Sequence, residues 1–178
     1  MKQKYELVVF DIGGVLADLT GFTEIAEWTK LTVDEAKSYW LKIDVVREFE
    51  LGNIAYEEFA EKILKELNLA YSIAELRNHI ESWTAGLFPD AESIVYQVKQ
   101  SIDIACLSNM SAVQWPTLRD TLGIGSWFRD QFISHQIGKL KPDQEAYEEV
   151  TEKLGIAPEK IIFFDDNKDN IEGAKQLG

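Results

Sequence analysis

The sequence holds few of the residues that staple or interrupt a fold, with one cysteine, four prolines and two histidines. A single Cys106 excludes an intrachain disulfide and a zinc site built from several thiolates, so any metal falls to oxygen ligands. Cys106 lies in an apolar run and reads as a buried thiol, while His79 and His135 stand alone and read as structural or exposed. Positive charge is also scarce. Against 31 Asp and Glu there are 18 Lys and Arg, a formal charge of −13, and such a field repels polyanions, so nucleic acid is not an expected partner. No apolar run approaches the roughly 20 residues that a membrane-spanning helix needs. Met1-Lys2-Gln3-Lys4 leads into a strand-like run rather than a signal peptide, and a cytoplasmic protein is expected. What remains is 178 residues, 46% hydrophobic, which suits one medium domain or a core domain with a modest insert.

Four short apolar runs have the character of buried parallel strands: Leu7 to Phe10, Ile102 to Leu107, Phe132 to Ser134, and Ile161 to Phe164. Helix-period segments lie between them, so the fold class is α/β with a Rossmann-like parallel sheet. Residues 11 to 101 separate the first two runs, far more than one crossover helix requires, and an insert is expected there. It reads as three or four amphipathic helices forming a small bundle over residues 18–87, with the core made of 1–17 and 88–178. Thr32 to Glu35 and Ser72 to Glu75 are capping boxes, the first opening a stripe of Ala36, Tyr39, Trp40 and Ile43, the second one of Leu76, Ile80 and Trp83. Phe59, Ile63 and Leu67 line another helix, and Trp28, Trp40 and Trp83 read as bundle core rather than a ligand cage. Pro89 marks re-entry to the core, where Ile94, Val95 and Val98 face the sheet. Helices from Asp143 to Leu154, with Ala146, Tyr147 and Val150 inward, and from Asn170 to Leu177 follow. The sequence stops where this pattern would feed another strand, so a C-terminal strand is expected to be missing.

Ligands of open parallel sheets bind beyond the carboxyl ends of the strands. Asp11-Ile12-Gly13-Gly14 follows the first strand, Ser108-Asn109 the second and Asp165-Asp166-Asn167 the fourth, while Lys141 on the loop after the third strand can reach the same edge. Taken singly, each has an ordinary explanation: Asp11 as a turn residue, Asp165-Asp166 as an N-cap pair, Ser108-Asn109 as caps, Lys141 as a solvated lysine. Trp115, just before Pro116, is a weaker candidate for the site. Jointly the set suits phosphoryl transfer. Asp11 can attack as a carboxylate nucleophile, and Asp11 with Asp165 or Asp166 can hold Mg²⁺. Gly13 and Gly14 let the backbone approach an anion, and Ser108 and Lys141 can neutralise phosphoryl oxygens.

These residues, in this order, resemble the haloacid dehalogenase-like hydrolase superfamily. Its first motif is matched by Phe10-Asp11-Ile12-Gly13-Gly14-Val15-Leu16 except at one position, its second by Leu107-Ser108-Asn109, its third by Lys141-Pro142-Asp143, and its fourth by Phe163 to Ile171. The resemblance spans residues 7–178 and implies that the helical insert of residues 18–87 is a small mobile cap. It further implies that Asp11 is the nucleophile, that Asp11, the Gly13 carbonyl, Asp166 and Asp165 hold Mg²⁺, and that Ile12, Gly13, Ser108, Asn109 and Lys141 bind phosphate. With Ile171 to Ala174, the fourth motif is similar to a bacterial branch that includes an alpha-D-glucose-1-phosphate phosphatase. The departing position is Gly13, where most phosphatases of the superfamily carry an acid and base carboxylate; slow turnover, or proton transfer by Asp18 or a cap residue, is the expected consequence. The implied activity is a Mg²⁺-dependent phosphomonoesterase acting on a small phosphorylated metabolite such as a sugar phosphate. A metal-independent dehalogenase-type hydrolase and a non-catalytic binding protein are the rival readings, and oligomeric state stays open.

Overall fold

A computed structural model describes residues 4–178, so most of the Met1 to Lys4 reading lies outside the described residues. Six strands and nine helices follow in chain order among them. They are β1 Leu7–Phe10, β2 Ala17–Leu19, α1 Gly21–Thr29, α2 Val33–Trp40, α3 Asp44–Glu50, α4 Tyr56–Glu66 and α5 Ile73–Ser82. Then come β3 Thr84–Leu87, α6 Ala91–Lys99, β4 Asp103–Ser108, β5 Asp130–Ile133, α7 Ser134–Ile137, α8 Gln144–Leu154, β6 Ile161–Phe164 and α9 Lys168–Leu177. The fold is α/β, as the apolar runs predict.

The main sheet has the order β5-β4-β1-β6, with every pairing parallel. Its strands read as continuous apolar runs because both faces are covered. Val8, Phe10, Ile104 and Cys106 turn to one side, against Val95, Trp115, Trp127 and Phe128. Leu7, Val9, Ala105, Leu107 and Phe132 turn to the other, against Ala146, Tyr147 and Val150. Phe10 is level with Cys106 on one side and Phe164 on the other. That register brings Asp11, Asp165 and Ser108 to one edge of the sheet.

Two details depart from expectation. Ile94 does not face the sheet; it is 50% exposed, and Val95 with part of Val98 makes the contact instead. The third strand ends at Ile133, and Ser134 begins α7 because its hydroxyl turns back to the backbone of Met110.

The insert carries five helices rather than three or four. The run from Thr32 to Ile43, read as one stripe, is helical only as far as Trp40; the chain turns at Leu41 before α3 begins at Asp44, and Tyr39 is partly exposed. Both capping boxes form: Thr32 N–H donates to Glu35 Oε2 at 3.0 Å and Ser72 N–H to Glu75 Oε2 at 2.7 Å, each answered by the reciprocal bond. Inside, Phe49 stacks on Phe59 at 4.3 Å, surrounded by Ile25, Trp40, Ile63, Leu76, Ile80 and Trp83. Glu24 accepts from the Trp83 indole N–H at 2.5 Å and lies 2.6 Å from His79 Nδ1, so that histidine belongs to the packing of the helices. His135 likewise meets the Met110 carbonyl at 2.7 Å.

A ribbon absent from the sequence reading joins the two parts. β2 and β3 pair antiparallel, Ala17 opposite Leu87 and Leu19 opposite Thr84, with Thr20 N–H bonded to Trp83 O and Phe88 N–H to Leu16 O. Both passages between sheet and helices therefore run side by side.

Candidate active site

Where β1 ends, the chain turns sharply. The Ile12 carbonyl accepts from the N–H groups of Leu16 and Ala17, and Gly14 holds a φ of +73°, a left-handed conformation that favours glycine. A Cβ on Gly14 would lie 2.5 Å from Asp166 Cγ, so the turn and the β6 loop touch with no room for a side chain. Gly13 has an ordinary φ, and its Cβ would meet only the tip of Leu19, at 2.4 Å.

Asp11 is 8% exposed, and its Oδ1 accepts from Ile12 N–H at 2.7 Å. Lys141 Nζ lies 3.1 Å from the same oxygen and 2.5 Å from Asp165 Oδ2. At 3% exposed, Lys141 is a buried ammonium rather than a solvated surface lysine, and such a group is costly unless carboxylates surround it. Asn109 fixes its place. The Asn109 side chain donates to the Lys141 carbonyl at 2.8 Å and accepts from Lys141 N–H at 2.9 Å. Ser108, at the end of β4, is buried, and its hydroxyl acts to lower the pKa of the Asp11 carboxyl. Burial pushes the Asp11 carboxyl above the usual range; Lys141 pulls it down and Asp165 pushes it further up.

Asp165 is fully engaged, accepting from Lys141, from the Asn170 amide at 3.0 Å and from Asn167 N–H at 2.8 Å. Tyr147 in turn donates to the Asn170 carbonyl at 2.7 Å. The Asp165-Asp166 pair does not cap α9; Asn167 does, accepting from Asp169 N–H at 3.0 Å. Asp166 stays open to solvent, paired with Lys37 of α2 at 3.8 Å.

Carboxylate oxygens of Asp11, Asp165 and Asp166 lie within 4.8 Å of one another. One ammonium among three ionised carboxylates leaves a formal 1 − 3 = −2. An all-oxygen donor set with that excess fits a hard divalent cation such as Mg²⁺. A cavity of about 210 Å³ opens over the cluster, lined by Asp11, Gly13, Ser108, Asn109 and Asp166 below and by Phe22, Lys37, Trp40, Glu50 and Trp83 above.

The chain matches the profile of haloacid dehalogenase-like hydrolases over residues 5–178. It belongs to that family. Among curated relatives of this haloacid dehalogenase-like hydrolase is the D-ribitol-5-phosphate phosphatase of Bacteroides thetaiotaomicron, 22% identical over 96% of this chain and 87% of the relative. A family enzyme from the same organism, solved with magnesium and inorganic phosphate, superposes with a TM-score of 0.78 at 21% identity, covering 98% of this chain and 91% of the other. The L-2-haloacid dehalogenase of Xanthobacter autotrophicus, carrying covalently bound chloropropionic acid, superposes at 0.70 with 21% identity over 98% and 75% of the two chains.

The hydrolase thus gathers Asp11, Ile12, Gly13, Ser108, Asn109, Lys141, Asp165 and Asp166 at one edge of its sheet. Trp115 is not among them: it is 2% exposed and packs in the core. Cys106 is buried, its thiol pushed up to about 12 by desolvation. Trp40 and Trp83 pack inside the helices and also line the cavity. Lys37, Glu50 and Asn170 escaped the sequence reading. Lys37 stands three residues before Trp40, a spacing that places both on one helix face.

Proposed function

We propose that this hydrolase cleaves small phosphate monoesters, with sugar or polyol phosphates as the substrate class, using Asp11 as nucleophile. The observation that carries the reading is the buried Lys141 ammonium shared between Asp11 and Asp165 beside a third, solvent-facing carboxylate on Asp166. An all-oxygen cation site has a use in phosphoryl transfer and none in displacement of halide from carbon. The phosphatase activity of the ribitol-phosphate relative and the magnesium and phosphate of the superposed family enzyme support it.

In this reading Asp11 attacks phosphorus and the ester oxygen departs, leaving an aspartyl-phosphate that water then hydrolyses. Ile12 N–H and Lys141 hold Asp11 Oδ1 and so fix the carboxylate's orientation. Ser108, Lys141 and the backbone of Gly13 are placed to meet phosphoryl oxygens, and Asn109 acts through the position of Lys141. Asp11, Asp166, Asp165 and the Gly13 carbonyl would hold Mg²⁺, whose part is to neutralise phosphoryl charge. Residues 18–87 are the cap, closing over a core of 1–17 and 88–178; Phe22, Trp40 and Trp83 offer rings to a ligand's carbon skeleton.

The test is phosphate release from a panel of sugar, polyol and aryl phosphates with and without Mg²⁺. Turnover is expected only with the metal and is lost in Asp11→Asn, which keeps the volume and the fold. Metal-independent halide release from a 2-haloacid would replace this reading with the dehalogenase one.

A further inference from the structure

The roof of the cavity carries one carboxyl that the mechanism above leaves unused. Glu50 closes α3, one residue after Phe49, which anchors that helix among the aromatic rings of the insert. Its side chain lines the cavity above Asp11 and Gly13, and also a smaller adjoining one of about 180 Å³ with Asn109, Lys141 and Asn167. No hydrogen bond or ion pair among the described residues occupies it. Arg47, one turn earlier, is the cation that acts on it, and its guanidinium is bonded to Asp143.

In-line attack by Asp11 sends the ester oxygen away from the sheet edge, toward the helices. Position 13, just past the nucleophile, offers no side chain to meet it. We propose that Glu50 is the proton donor to the leaving oxygen, an inference that rests on the phosphomonoesterase reading. As the bond from Asp11 to phosphorus forms and the phosphorus to ester oxygen bond breaks, the Glu50 carboxylic acid gives its proton to that oxygen. The resulting carboxylate takes a proton from the water that then attacks the aspartyl-phosphate, restoring the acid.

Burial supports this, pushing the Glu50 carboxyl up to about 7, with Arg47 pulling the other way. Lys37 from α2 lines the same cavity, and the elements packed against α3 carry Tyr56 on α4, whose hydroxyl is bonded to the Ile73 carbonyl, and His135 on α7, bonded to the Met110 carbonyl. From the sheet side come Asp11, Asp18, Lys141, Asp166 and Asp169. Asp18 lines the same cavity but is exposed to solvent.

The experiment compares kcat/KM of the parent, Glu50→Gln, Glu50→Asp and Asp18→Asn, with Mg²⁺, on glycerol phosphate and para-nitrophenyl phosphate. An alkoxide needs the proton and a nitrophenolate does not. Glu50→Gln should therefore lose on the order of a hundredfold on glycerol phosphate, and less than about threefold on the aryl ester. The high-pH limb of its glycerol phosphate profile should vanish, and Glu50→Asp should recover part of the loss. An equal loss on both esters, no loss on either, or an alkyl-selective loss in Asp18→Asn instead would overturn the proposal alone. A parent inert toward both esters would overturn the phosphomonoesterase reading and this inference together.

Discussion

Gly14 shows how little freedom the site leaves at single positions. Alanine there must hold a φ of +73° and place its Cβ against the Asp166 carboxyl. Gly14→Ala should cost about 1–2 kcal/mol from the backbone alone and push Asp166 outward, weakening Mg²⁺ binding; thermal unfolding and calorimetric Mg²⁺ titration would read the two effects. Gly13 differs, since its Cβ would meet only the flexible tip of Leu19. Gly13→Asp should fold once that leucine turns, and chemical denaturation would show it. Glu50 makes a separate prediction for stability. Its carboxyl titrates from 4.5 in the unfolded chain to about 7 in the folded one, so the native state holds the extra proton between those values. Stability is then lost as pH rises through that window. Glu50→Gln should escape the loss, gaining melting temperature over the parent above about pH 7 and matching it below pH 4.5.

Among the elements, β6 is one edge of the main sheet, and none of its residues is buried. Phe164 is 48% exposed while its ring stacks on Phe10 at 5.5 Å. An open apolar edge templates pairing between chains, so Phe164→Lys should reduce self-association in sedimentation velocity, at a stability cost of about 1 kcal/mol from the lost ring pair. The four parallel strands were legible because each is an apolar run with polar residues at its end, and the site residues sit at those ends. The two capping boxes were legible because Thr32 with Glu35 and Ser72 with Glu75 have a fixed spacing. β2 and β3 were not: Ala17–Leu19 and Thr84–Leu87 are too short for alternation to register, and each becomes a strand only by meeting the other. Glu50 and Lys37 lie on short, charge-rich helices whose polar faces read as solvated, and only the placement of the insert over the sheet turns them inward. The Asn109 clamp on Lys141 joins loops after β4 and α7, which no local pattern announces.

At the scale of the whole molecule, a charge of −13 surrounds a site meant for an anion. Attraction is local, from Lys141 and Lys37, and the outer field opposes approach. At low ionic strength kcat/KM for a phosphate dianion should therefore rise as salt is added, by about two- to threefold before levelling as the Debye length falls to roughly 10 Å near 0.1 M. The opposite slope, measured with Mg²⁺ held constant, would mean the local lysines dominate at long range. The ribbon of β2 and β3 governs something else. Because the strands entering and leaving the insert are already zipped together, the sheet bears a loop-closure cost set by that ribbon and hardly at all by what lies beyond it. Seen from the sheet, everything between Leu19 and Thr84 is the tip of a hairpin. Such a tip is interchangeable: a foreign helical segment spliced between those two residues would leave Asp11, Lys141, Asp165 and Asp166 in place while bringing its own groups where Lys37 and Glu50 now stand. The architecture thus keeps the groups at the sheet edge in one unit and leaves the roof over them free to change.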